Sequence, residues 1–149
     1  MSIRIVIADD QALVRGALAA LLALEPDIDV AAVAADGAEA LTLVGDLAPD
    51  VCLMDIQMPG FDGIEATRRL RAASPATRVL IVTTFARPGY LRSALDAGAA
   101  GFMAKDAPAE EVADAVRRVH SGLRVLDPAL AEESLFEGAN PLSDRERQV

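Results

Sequence analysis

Asp50-Val-Cys-Leu-Met-Asp-Ile-Gln-Met-Pro-Gly60 is the stretch from which the fold is read. Its apolar run, Val51–Met54, has no polar residue to give it a solvent face and stops at Asp55, ahead of a Pro-Gly turn. Such a run is too brief for a helix, and a strand apolar on both faces belongs inside a parallel sheet covered on both sides. Outward in both directions the pattern repeats. Ile3–Ala8, Val30–Ala34, Val79–Thr83 and Gly101–Ala104 are further short, mostly apolar runs bounded by Asp, Pro or Gly. Between them lie stretches long enough for crossover helices, Gln11–Leu24, Gly37–Leu47, Gly63–Ala73 and Pro88–Ala97, with Pro108–His120 after the last strand. This alternation predicts an α/β protein of the (βα)5 kind, a doubly wound parallel five-stranded sheet with its ligand crevice at the carboxyl ends of the strands.

Local signals mark the helix ends. Asp36 with Glu39, and Asp62 with Glu65, have capping-box spacing with Asp as the cap, and Asp127-Pro128 places a cap before a first-turn proline. Gly98 and Gly122 fall where helices should stop. Past Gly122 the character changes. Residues 122–140 read as a linker with a short acidic helix, Ala129–Phe136, closed by Gly138-Ala-Asn-Pro141. A new helix is expected to open within 141–149, where Ser143 and Glu146 repeat the capping-box spacing; it has too little length to pack on anything, which reads as the start of a further domain.

The chain has 149 residues, 14 basic and 23 acidic, for a net charge of −9. No window gathers the basic footprint of a nucleic-acid face, so this stretch is not expected to hold DNA by itself. One cysteine, Cys52, excludes an intrachain disulfide and suits a reducing compartment. The amino terminus meets two aspartates too early for a signal peptide, and the longest uncharged apolar run, Gly16–Leu24, is about half of what a bilayer requires. A cytoplasmic location without membrane contact is expected.

The chemistry should lie just after the strands. The first ends in Asp9-Asp10 and the third in Asp55, three carboxylates at one rim. They repel one another unless a cation neutralises them, and a hard, oxygen-seeking ion such as Mg²⁺ fits. The fourth strand ends in Thr83, a hydroxyl donor, and the fifth is followed at once by Lys105. A cation, a hydroxyl, an ammonium and a free carboxylate make a site for a phosphoryl group, in which the carboxylate attacks phosphorus and the cations stabilise the equatorial oxygens. Taken singly each residue has a plainer reading: an Asp pair as turn or cap, Thr83 as a β-former, Lys105 as a solvated charge. Four signals at one sheet edge outweigh those readings.

Four segments carry a resemblance: Ile5-Val-Ile-Ala-Asp-Asp10, Asp50–Gly60 with Asp62-Gly63, Val79-Leu-Ile-Val-Thr83, and Gly98-Ala-Ala-Gly-Phe-Met-Ala-Lys-Asp106. Over Met1 to about His120 the chain resembles the receiver domain of a bacterial two-component response regulator, of the NarL/FixJ group whose output is a LuxR-type helix-turn-helix. Pro141-Leu-Ser-Asp-Arg-Glu-Arg147 resembles the opening of that DNA-binding domain. Thr83-Thr-Phe-Ala-Arg-Pro-Gly-Tyr90 and Ala139-Asn-Pro-Leu142 are most similar to regulators paired with membrane-fluidity thermosensor kinases that control a lipid desaturase. The resemblance implies a flavodoxin-like strand order 2-1-3-4-5 and a receiver over residues 1–121. It implies that Asp55 accepts a phosphoryl group from a sensor histidine kinase, and that Asp10 and Asp55 ligate Mg²⁺, with Asp9 acting through water and Gln57 through its backbone carbonyl. Thr83 and Lys105 would hold the phosphoryl oxygens, and Phe102 would be the switch aromatic that turns inward when Thr83 shifts. It further implies homodimerisation on phosphorylation and transcriptional control through the DNA-binding domain. One departure is Asp106 where the commonest receiver pattern has proline, which bears on local loop geometry alone.

The first helix is apolar on two sides. With Val14, Ala17, Leu18 and Leu21 toward the sheet, Leu13, Gly16, Ala20 and Leu24 form a second stripe, expected to combine with Ala109, Ala113 and Arg117 of the last helix as a dimer or kinase-docking face. The plainer reading is a harmless exposed alanine face; helix four with strand five is the alternative dimer surface. His120 reads as a helix-end residue, Cys52, Met54 and Met58 as packing, and Arg68, Arg69 and Arg71 as a wetted helix face.

Two functions compete with the signalling switch. A Mg²⁺-dependent aspartyl-phosphate hydrolase needs a second acid two residues after its nucleophile, where this chain has Gln57. A phosphorylation-independent scaffold predicts an incomplete site. Nucleotide binding is disfavoured because no glycine-rich phosphate loop follows the first strand. The expectation is therefore a switch rather than an enzyme, its chemistry limited to self-catalysed transfer and slow hydrolysis.

Overall fold

A computed structural model of the chain describes residues 2–83 and 89–126. Strands β1 (Ile3–Ala8), β2 (Ile28–Ala34), β3 (Val51–Met54), β4 (Arg78–Thr83), β5 (Gly101–Ala104) and β6 (Val125–Leu126) alternate with helices α1 (Ala12–Ala23), α2 (Gly37–Leu47), α3 (Gly63–Ala73), α4 (Tyr90–Asp96) and α5 (Ala109–His120). The strands form one parallel sheet in the order β2-β1-β3-β4-β5-β6. The doubly wound architecture is as the apolar pattern predicts, and the 2-1-3-4-5 order is as the resemblance implies. The added feature is β6, a two-residue strand beside β5 that carries too little apolar pattern to announce itself. The expected helix start at Pro88, the cap at Asp127-Pro128, the linker helix and the 141–149 segment lie outside the described residues.

Alternation along the strands makes two cores, one on each face of the sheet. Val6, Ala8, Cys52, Met54, Val79, Ile81 and Phe102 point to one side, where α2, α3 and α4 contribute Ala40, Val44, Ile64, Ala66, Leu70 and Ala94. Ile5, Ile7, Val51, Leu53, Leu80, Val82 and Met103 point to the other, against Leu22 of α1 and Val112, Ala113, Val116 and Val119 of α5. β3 is buried throughout, and β1 and β4 are buried except at Arg4 and Arg78, which is why these strands read as mostly apolar runs. β2 departs from that expectation. As the free edge of the sheet it is only partly buried, and its register with β1 shifts between Ile5 and Val6.

The caps form as read. The Asp36 carboxylate accepts from Glu39 N–H at 2.8 Å and the Asp62 carboxylate from Glu65 N–H at 2.9 Å. Gly98 and Gly122 follow their helices with φ of +101° and +93°, a region that strains other residues. At the opposite edge from the acidic rim, arginine side chains take up carbonyls: Arg4 donates to Leu47 O, Arg71 to Pro75 O and Thr77 O, and Arg78 to His120 O. Arg71 is thus tied to backbone rather than merely wetted, whereas Arg68 and Arg69 are exposed and pair with Glu65. His120 ends α5 and places Nε2 3.9 Å from Asp50 Oδ1.

Two assignments on the helices are corrected. On α1 the inward residues are Val14, Leu18, Ala19 and Leu22, while Ala17 and Leu21 are exposed. The helix carries leucine or alanine all round, so the i, i+3, i+4 spacing fits two rotations equally, and packing against β2 and α5 selects one. Leu13, Gly16, Ala20 and Leu24 do face outward, with Leu13 86% and Leu24 77% exposed. On α5, Ala113 is fully buried and belongs to the core, so it contributes nothing to an outer face; Ala109 is half-buried. Arg117 is half-buried too, and it is engaged within the chain: it grips Asp27 through Nε and Nη2 at 2.7 and 2.9 Å and Glu25 at 2.5 Å.

Candidate functional site

The sheet ladder positions the site by running one residue beyond three strands. Asp9 N–H donates to Ala34 O at 3.0 Å, Asp55 N–H to Ala8 O at 3.0 Å, and Lys105 N–H to Thr83 O at 2.8 Å. The residues that end the strands thus keep the register of the sheet, and their side chains meet above its carboxyl edge. Asp9, Asp10 and Asp55 each bring a carboxylate oxygen within 4.8 Å of the others. Asp9 and Asp55 are buried and Asp10 is exposed.

Lys105 reaches back over this cluster. Its Nζ lies 2.8 Å from Asp9 Oδ2, 2.9 Å from Asp55 Oδ2 and 3.4 Å from Gln11 Oε1. The remaining carboxylate oxygens are held by backbone: Ile56 N–H donates to Asp55 Oδ1 at 2.8 Å and Gln11 N–H to Asp9 Oδ1 at 2.9 Å. Burial pushes the Asp55 carboxyl above its ordinary range; the Lys105 ammonium opposes that and the Asp9 charge adds to it. Burial works against the Lys105 ammonium, but Asp9 and Asp55 together outweigh it and hold its pKa above the usual lysine value.

Three carboxylates against the Lys105 ammonium, with the Arg15 guanidinium on the Asp9 carbonyl, leave net negative charge at one rim. That residue of charge, on oxygen donors alone, fits a divalent hard cation. Thr83 is buried at the end of β4, paired in register with Ala104. Gln57 is exposed, two residues past Asp55. Phe102 is fully buried on the α2–α4 side, already turned inward. Met54 and Met58 pack in that same core, and burial raises the Cys52 thiol to about 12, which leaves it an inert core residue.

Sequence reasoning missed four contributors. Gly63 donates its N–H to Ile56 O at 2.7 Å, and a Cβ there would stand 1.8 Å from Asp55 O, so only glycine lets α3 start this close to the acidic strand end. Its signal was the glycine itself at the first helical position. Arg15, the lone charge on α1, donates Nη1 to Asp9 O at 2.8 Å. The Gln11 side chain and the Ile56 N–H act through geometry that no spacing rule encodes.

A doubly wound sheet carrying this acidic rim and its lysine defines a signalling receiver, and the chain belongs to the response regulator receiver domain family, whose model matches residues 5–117. It is NarL-type and DesR-like, the receiver of a transcriptional response regulator of the LuxR family. It is 46% identical over 147 residues to the transcriptional regulatory protein DesR of Bacillus subtilis (strain 168), covering 99% of this chain and 72% of DesR. The uncharacterized transcriptional regulatory protein YvfU of the same organism is 43% identical over 147 residues, covering 99% and 73%. Among solved structures, a LuxR-family two-component response regulator from Aurantimonas sp. SI85-9A1 superposes with a TM-score of 0.87 at 34% identity, covering 94% of this chain and all of that one. The signal receiver domain of the putative response regulator NarL from Mycobacterium tuberculosis gives 0.78 at 37% identity, covering 81% and 98%. Among the described residues no helix is long and apolar enough to cross a membrane.

Proposed function

We propose that Asp55 is the phosphoacceptor of a two-component phosphorelay and that its phosphorylation switches the conformation and self-association of a transcriptional regulator. The observation that carries this is the Lys105 ammonium seated between two buried carboxylates with a third alongside. An Asp55 carboxylate oxygen attacks the phosphorus of a kinase phosphohistidine; the O–P bond forms, the N–P bond breaks, and its electron pair returns to the imidazole. Burial makes Asp55 more basic than an ordinary aspartate, which favours attack. Lys105, now bonded to Asp55 Oδ2, and the Thr83 hydroxyl hold the phosphoryl oxygens. Asp10, Asp55 and the Gln57 carbonyl would hold Mg²⁺, with Asp9 acting through water, and the ion would offset charge on the phosphoryl oxygens. The ion and the substrate are thus met by the chain's own rim.

Occupation of Thr83 biases a pre-existing equilibrium, with Phe102 as its switch aromatic. The active form pairs through the outward face of α1, Leu13, Gly16, Ala20 and Leu24, flanked by Ala109 and Arg117 of α5, a surface that also suits the sensor histidine kinase. Residues 1–121 form the receiver, 122–140 a linker, and 141–149 the opening of a DNA-binding output; the printed names of the transcriptional relatives support that output. The reaction is a single self-catalysed transfer followed by slow hydrolysis, in the cytoplasm. The test is incubation with Mg²⁺ and a small phosphodonor, or with beryllofluoride, followed by intact mass and oligomer size. The wild type gains one phosphoryl group and dimerises, and Asp55→Ala does neither; modification that persists in Asp55→Ala removes Asp55 from the role.

A further inference from the structure

Arg15 is the only charged residue on α1, whose sequence is otherwise Ala, Leu, Val and Gly. A long cationic side chain on so apolar a helix ordinarily carries its head out to water. This one instead turns toward the rim, half-buried, and donates Nη1 to the backbone carbonyl of Asp9 at 2.8 Å. The bond completes a set. Asp9 N–H is held by Ala34 O, Oδ1 by Gln11 N–H and Oδ2 by Lys105 Nζ, so that Arg15 secures the one polar atom of Asp9 that the other three partners leave. That atom has leverage. The Asp9 carbonyl lies in the same rigid plane as the Asp10 nitrogen and Cα, so fixing its direction fixes where Asp10 leaves the strand. Asp10 is the exposed member of the acidic cluster.

We propose that Arg15 is a positioning residue for the cation-binding carboxylates: it locks the Asp9–Asp10 peptide so that Asp10 faces Asp9 and Asp55. The inference rests on the reading of the acidic cluster as a divalent-cation site. Charge and positioning predict opposite signs here. A guanidinium beside the cluster repels a cation, so removing its charge alone would tighten binding; removing its hydrogen bond loosens the ligand set and weakens binding.

The experiment is calorimetric titration of the full chain with Mg²⁺, for the wild type, Arg15→Met and Arg15→Lys, with urea unfolding of each in chelator. Arg15→Met is expected to bind about tenfold more weakly, the usual scale for losing an outer-shell partner of a metal site. Its unfolding midpoint should stay near the wild type, and Arg15→Lys, which keeps a donor, should recover most of the affinity. Arg15→Met binding as tightly as the wild type or more tightly overturns the proposal, as does Arg15→Lys no better than Arg15→Met. If Arg15→Met does not fold, Arg15→Leu, which also lacks a donor, takes its place with the same criteria. A wild type that takes up no Mg²⁺ overturns this proposal together with the reading beneath it, whereas a wild type that binds beside an unaffected Arg15→Met overturns the role of Arg15 alone.

Discussion

Lys105 Nζ lies 2.9 Å from Asp55 Oδ2 across fifty residues of sequence, a contact made only because β3 and β5 flank β4 and end at the same edge. The same ammonium touches Asp9, so one positive charge holds two buried negative ones. Lys105→Met is therefore expected to destabilise the chain by about 3 kcal/mol in chelator, since the carboxylates lose their internal counter-charge. It should also bind Mg²⁺ more tightly than the wild type, because the ammonium no longer competes for the same oxygens, and yet accept phosphoryl more slowly. Urea unfolding, calorimetry and a phosphorylation time course read the three effects. Weaker Mg²⁺ binding would mean that Lys105 supports the acidic cluster rather than counterbalancing it.

Gly63 and Gly60 lie three residues apart and should respond differently to alanine. At Gly63 a Cβ would meet Asp55 O at 1.8 Å and Ile56 Cα at 2.9 Å, both backbone. The strand end and the start of α3 must then separate, at a cost of about 3 kcal/mol or more, and Asp55 must shift with them. At Gly60 there is open space, and the cost is the strain of φ +81°, about 1 kcal/mol. Urea unfolding of Gly63→Ala and Gly60→Ala gives the ranking, and equal losses would place the constraint in backbone conformation instead of contact.

These glycines also mark how far the sequence could be read. β1, β3 and β5 have the predicted bounds because Asp or Gly marks an end of each and Arg4 is the one polar residue within them. The acidic rim was legible for the same reason: a residue that follows a buried parallel strand has to emerge at one edge. What failed was rotation and distance. α1 has no polar face to orient it, so its spacing fits Ala17 and Leu21 inward as well as the Leu22 that packing selects. Ala113 looked like surface because alanine carries no signal of its side, and β6 is two residues long. The Arg15–Asp9 carbonyl bond depends on how a long side chain bends, which periodicity does not encode.

The outward stripe on α1 makes a separable prediction. Leu13 is 86% exposed, so Leu13→Glu removes almost no buried surface and should change monomer stability by less than about 0.5 kcal/mol. If the stripe is the contact face, the same change places a carboxylate at the centre of a dimer and abolishes phosphorylation-dependent association. Light scattering of the beryllofluoride-treated protein, with urea unfolding as the control, reads both. A dimer of unchanged strength would move the contact to α4 and β5.

The Arg117–Asp27 pair links α5 to the turn before β2 across ninety residues, with Glu25 on the same guanidinium. The Arg117 side chain holds the Asp27 carboxyl below the ordinary aspartate range, by hydrogen bond first and by charge second. A carboxyl whose folded pKa is depressed stabilises the fold above its unfolded value, and that contribution fades as pH falls through the folded value. The wild type should accordingly exceed Arg117→Leu in urea midpoint at neutral pH. The gap should close in acid, below the normal titration range of aspartate, where Asp27 takes up its proton and the pair is lost in both proteins. Because the pair is solvent-accessible, 0.5 M salt should narrow the gap at neutral pH as well. A gap that stays constant from neutral pH into acid would assign the contribution of Arg117 to packing of its methylene stem rather than to its charge.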